Sequence, residues 1–119
     1  MLERYYVNPS SVDRIRALWL GPAIESYAEW LEARRISVAR GRGCIEIVIQ
    51  FNRFAQSHGV RDSGSLPALV EPFVASGVRR RRQRGRHELQ TTRSRFRSPI
   101  EQLLRLVIPG YAGTVQKLA

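Results

Sequence analysis

Residues 38–58, VARGRGCIEIVIQFNRFAQSH, constrain the chain more than any other stretch. Cys44, Val48, Phe51 and Ala55 recur at i, i+4, i+7 and i+11, and Ile45, Ile47, Ile49 and Phe54 widen that stripe around much of a helix. A helix apolar on most sides needs neighbours on most sides, so this is the expected central core element of a bundle. Ser37 is placed to cap it and Gly59 to stop it. Gly41 and Gly43 fall in its first turns, where each costs about 1 kcal/mol relative to Ala. Either the helix starts nearer Cys44, or the glycines admit a close backbone approach.

The remaining apolar sequence supplies the neighbours. Ser11 can cap SVDRIRALWL, with Asp13 in the first turn and Val12, Ile15, Leu18 and Trp19 at helical spacing until Gly21. Pro22 suits the first position of a second helix, in which Ile24, Tyr27, Ala28 and Leu31 form one stripe, Glu25, Glu29 and Glu32 lie off it, and Arg34 and Arg35 close the negative end. A polar loop at residues 60–66 precedes Pro67 and a short helix carrying Leu69, Val70, Phe73 and Val74, which Pro72 requires to be kinked or late-starting and Gly77 ends. Ser98, Pro99 and Glu101 form a capping box for a last helix with Ile100, Leu103, Leu104 and Val107 inward and Pro109-Gly110 as its stop. With no repeat and no hairpin signal, the expected class is all-α, a compact bundle of four to five short helices. The 119 residues suit one core. They divide into an N-terminal arm at 1–10 ending in an Asn8-Pro9 turn, a helical domain at 11–110, and a tail or linker at 111–119.

Charge is distributed very unevenly. Residues 78–97 carry Arg79, Arg80, Arg81, Arg82, Arg84, Arg86, Arg93, Arg95 and Arg97 against Glu88, nine minus one or +8, of a net charge of +10 for the whole chain. A balance of that sign calls for a polyanionic partner. Every basic residue except Lys117 is Arg, whose planar fork matches phosphate oxygens and guanine edges. An acidic membrane surface or an acidic protein would also answer that sign, but the Arg fork favours nucleic acid, with the Arg run on phosphates and Arg40, Arg42 and Arg53 of the long helix as candidate base readers. Cys44 is the single cysteine, so no intramolecular disulfide forms, and its apolar stripe predicts a packed thiol. Cys44, His58 and His87 are too few and too far apart for a zinc finger, and Glu25, Glu29 and Glu32 lack histidine ligands beside them, so no metal or cofactor is expected. The GRG at 41–43 has neither the length nor the Lys-Ser/Thr ending of a phosphate loop. No apolar run approaches a bilayer span and no signal-peptide pattern opens the chain, so a cytoplasmic protein without a membrane partner is expected.

The order of these pieces resembles the N-terminal, SAM-like core-binding domain of the tyrosine recombinase or phage-integrase family. The resemblance spans residues 22–111 and rests on Ile24, Tyr27, Trp30 and Leu31 in AIESYAEWLEARRIS, Phe51 and Phe54 in VIQFNRFAQSHGV, the Leu66-Pro67 and VEPFVA segment, and IEQLLRLVIPGY. It implies a helical module that closes on double-stranded DNA at the recombination site and meets other recombinase protomers there, while a separate domain performs strand transfer. Gly41, Gly43 and the length of the Arg run depart from the pattern. The family's catalytic arginines, His-x-x-Arg and nucleophilic Tyr belong to that further domain. His87 is followed at 90 by Gln, and Tyr111 has no paired acid or base nearby in sequence, so no catalytic residue, no small-molecule substrate and no enzymatic activity is expected of this chain. Two other classes stay open, a helical protein-interaction module and an RNA-binding module, both using the polybasic segment.

Overall fold

A computed structural model describes residues 2–81 and 85–111. Among them lie five α-helices: α1 (Pro9–Arg16), α2 (Gly21–Ala33), α3 (Val38–Ser57), α4 (Val70–Arg79) and α5 (Arg86–Val107), with 3-10 turns at Leu2–Arg4 and Ser63–Leu69. No strand occurs among the described residues. The all-α bundle is as its periodicity requires. Ile24, Tyr27, Ala28 and Leu31 of α2, with Ile45, Ile47, Val48, Ile49, Phe51 and Ala55 of α3, are all buried. Phe73 of α4 ties the layers together, meeting Phe51, Phe54 and Phe96 edge to face at ring separations of 5.3, 5.5 and 5.9 Å. Across the other side the Tyr27 hydroxyl donates to Gln102 Oε1 at 2.6 Å, joining α2 to α5.

Helix α3 begins where Ser37 predicts, its hydroxyl accepting from the Arg40 N–H. The glycines in its first turns do not delay it. Gly41 faces Tyr5 so closely that a Cβ would sit 2.6 Å from Cε1 of that ring, whereas Gly43 faces open space. The first residues accordingly pack instead of standing off as an arm. Leu2, Tyr5 and Tyr6 are buried, the Leu2 N–H donates to Glu25 Oε2 at 3.1 Å, and the Tyr6 hydroxyl donates to the Glu46 carboxylate. Arg16 secures the same corner through Glu3 and Glu25 at 2.9 and 2.7 Å.

Several helix boundaries differ from the sequence expectation. Asn8, not Ser11, caps α1; its Oδ1 accepts from the Ser10 N–H, and Pro9 takes the first helical position, so Asp13 lies beyond the first turn. Helix α4 starts late, as Pro72 requires, at Val70, which puts that proline in the opening turn where a missing N–H removes no intrahelical bond. It runs through Gly77 to Arg79 because Gly77 is the seat of the Phe96 ring, not a terminator. The largest difference is in α5, which begins at Arg86 and carries Pro99 in its interior. Ser98 is not its cap. Phe96, buried against Phe73 and Gly77, holds the turn before Pro99 in helical register. The bond that Pro99 gives up is the one to the Arg95 carbonyl. Much of the Arg-rich segment is therefore helix instead of connection.

Candidate nucleic-acid interface

The outer face of α3 is the place where basic side chains converge. Arg42, Glu46, Ile49 and Arg53 follow at i, i+4, i+7 and i+11 and form one wall of a cleft of about 410 Å³, with Tyr6, Ser11, Arg14, Ile15 and Leu18 opposite. One helix turn round, Gln50, Arg53, Phe54 and Ser57 line a second cleft of about 570 Å³ that Arg80 of the α4 end closes. Gln50 continues into a third, with Gly77, Arg80, Arg81 and Phe96. Arg53 stands on the ridge between the first two clefts. The result is a band, Arg14 and Arg42 to Arg53 to Arg80 and Arg81, laid across three helices.

Three of these cations are held, each in its own way. The Arg42 guanidinium lies over the Tyr6 ring at 4.9 Å from its centroid and Arg81 over Phe96 at 5.3 Å, contacts that orient an arginine without neutralising it. Arg80 donates from Nη2 to the Ser76 hydroxyl at 3.1 Å. Burial, and then the neighbouring Glu46 carboxylate, push the Tyr6 hydroxyl well above the usual tyrosine range, so it stays a neutral donor and fixes Glu46 within the band. Glu46, the one acid among the described residues lining these clefts, is thus engaged by a hydrogen bond.

The structure sorts the candidate arginines. Arg42 and Arg53 share one face of α3, but Arg40, exposed in the first turn, lies about 140° round the helix from Arg53 at 100° per residue and does not join them. Arg79, Arg80 and Arg81 are exposed at the end of α4, and Arg86, Arg93 and Arg95 on α5. Arg97 is engaged elsewhere: its Nη2 binds both Glu71 carboxylate oxygens, at 2.6 and 2.7 Å, which pins α5 to α4. Arg82 and Arg84 lie outside the described residues, as do residues 112–119 of the expected tail. Arg14 and Gln50 are not among the arginines and base readers that the sequence singles out. Their positions on solvent faces of α1 and α3 were readable, but their proximity to Arg53 depends on how the helices pack.

Comparisons with protein-family models, curated proteins and solved structures give no match. Among the described residues no group of three or more His, Cys, Asp or Glu side chains could hold a metal ion, and no helix is long and apolar enough to cross a membrane. The face offers arginine forks, an amide and a serine hydroxyl around open clefts. That set suits the oxygens of a phosphodiester backbone.

Proposed function

We propose that this chain is the DNA-binding module of a site-specific tyrosine recombinase or integrase, holding recombination-site DNA while a separate domain performs strand transfer. The observation that carries the binding half of the reading is the convergence of Arg14, Arg42, Arg53, Arg80 and Arg81 on the α3 face, from three helices. Positive charge spread along a run could belong to a solvated tail. Charge gathered by packing across a rigid ridge suits a partner with regularly spaced anions. The recombinase half rests on the resemblance in Ile24, Tyr27, Leu31 and Phe51, all buried, and Trp30 and Phe54, partly buried against the same core. Contacts between protomers assembled on the DNA belong to the same reading, and no chemical step is assigned to this chain.

Fluorescence anisotropy with labelled duplex DNA tests it. Binding is expected in the micromolar range or weaker, falling steeply with salt, each phosphate contact adding roughly 0.9 to the slope of log K. Charge reversal at Arg53 or Arg80 reduces both affinity and slope. No binding at low salt removes the reading. Preference for structured RNA over duplex in competition, or loss of a protein partner with DNA binding intact after reversal at Arg79, Arg80 and Arg81, favours one of the other classes.

A further inference from the structure

Among the described residues, the first ten of α5 are unlike any other helix segment. Over residues 86–95 only Leu89 and Thr92 are even partly covered, and the other eight are exposed. An apolar face pressed on the core does not hold this half of the helix; the burial of α5 begins at Phe96. At 1.5 Å per residue it reaches about 15 Å beyond that point. A polar helical extension of this kind is marginal by itself, since short helices in water draw most of their stability from packing.

Its side chains are sorted by face. Arg86, Gln90 and Arg93 stand at i, i+4 and i+7 on one stripe, and Arg97 continues the stripe into the bundle, where Glu71 holds it. Glu88 and Arg95, seven residues apart, share the other side, and Thr91 turns its hydroxyl back to the His87 carbonyl at 3.0 Å. The stripe therefore carries two arginines and one glutamine, no acid and no exposed apolar group, since Leu89 on its border is partly covered. Its direction is fixed, because the Arg97–Glu71 pair and the Phe96 ring against Gly77 set the rotation of α5 in the bundle.

Resting on the DNA-binding reading above, we propose that residues 86–95 are a reading helix for the major groove of duplex DNA, with Arg86, Gln90 and Arg93 directed at base edges. A major groove about 12 Å wide accepts one helix, and the extension is a helix bare on nearly every side. Arginine forks match the O6 and N7 acceptors of guanine, and a glutamine amide matches the N6 and N7 pair of adenine. An acidic protein surface would use the arginines but give Gln90 no role. An anionic membrane would need apolar side chains on the same stripe.

Selection of the full chain against a pool of randomised duplexes, with binding isotherms beside it, tests the inference separately from the reading beneath it. The wild type enriches a short motif. Arg93→Ala and Gln90→Ala each relax the preference at one position by roughly ten-fold, while Arg53→Ala weakens binding to all sequences and lowers the salt slope. Ala favours helix, and matched thermal melts establish that the variants are folded. Duplex binding without any enriched motif, or a motif unchanged in both α5 variants, overturns the reading helix and leaves the binding module standing. Absence of duplex binding overturns both.

Discussion

Gly77 and Phe96 are in such close contact that a Cβ on the glycine would come within 2.9 Å of Cδ1, Cε1 and Cζ of the ring. The ring is buried and also packs on Phe73, so it has little room to retreat. Gly77→Ala is expected to lose about 1–2 kcal/mol, the overpacking strain of a filled core exceeding the helix propensity gained. Gly43→Ala is the control: nothing lies within 4 Å of its Cβ position, and it should gain about 1 kcal/mol. Denaturant midpoints compare the two, and equal stability would contradict the contact.

Helices α2 and α3 end in the same way with different residues. After α3 the Gly59 N–H donates to Gln56 and the Val60 N–H to Ala55; after α2 the Arg35 N–H donates to Glu32 and the Ile36 N–H to Leu31. The turning residue has φ +73° at Gly59 and +58° at Arg35, where a side chain crowds the following carbonyl. Arg35→Gly should therefore stabilise the protein by roughly 0.5–1 kcal/mol, the relief of strain being partly offset by the freer unfolded chain. A melting temperature raised by a few degrees is the expected result, and a lowered one counts against strain at Arg35.

Asn52 is wholly buried on α3, with Oδ1 accepting from the Leu20 N–H at 2.9 Å and Nδ2 donating to Gln56 Oε1 at 3.2 Å. It satisfies a backbone donor at the α1–α2 junction that no local group reaches. Asn52→Leu leaves that donor unpaired in the core, at a cost of about 1–3 kcal/mol, despite adding apolar volume. Urea titration should show a lower midpoint with an unchanged slope. A variant as stable as wild type would mean that the junction finds another acceptor.

What could be read from the sequence was what repeats locally. The Ile24, Tyr27, Ala28 and Leu31 stripe and the girdle around Val48 and Phe51 need only helical periodicity, and both are core. Ser98-Pro99 failed as a boundary because a local capping signature is outweighed by a tertiary contact, Phe96 on Phe73, one turn earlier. Asn52 and the packed Leu2, Tyr5 and Tyr6 depend on partners 23 to 40 residues distant, which no window along the chain contains. The candidate site divides in the same manner. The charge of Arg53 was legible, but its company with Arg14 and Arg80 comes from helix packing.

Two buried tyrosines make stability fall at high pH. Burial raises the Tyr27 hydroxyl far above its ordinary value near 10, and burial followed by the Glu46 carboxylate does the same to Tyr6. In the unfolded chain both ionise near pH 10. The folded state therefore keeps two protons that the unfolded state releases, so their contribution is constant below pH 10 and is lost as pH rises toward the folded values. Above pH 10 Tyr27 should lower the unfolding free energy by up to about 1.4 kcal/mol per pH unit, and Tyr6, whose hydroxyl is partly buried, by less. Following tyrosinate absorbance and far-ultraviolet dichroism together checks this: the signals of Tyr6 and Tyr27 should appear only with loss of helix. Tyr27→Phe abandons the bond to Gln102 and lowers stability at neutral pH, yet it flattens the alkaline limb by removing one released proton. Full tyrosinate absorbance in a chain that still shows native helix would overturn the argument for both residues.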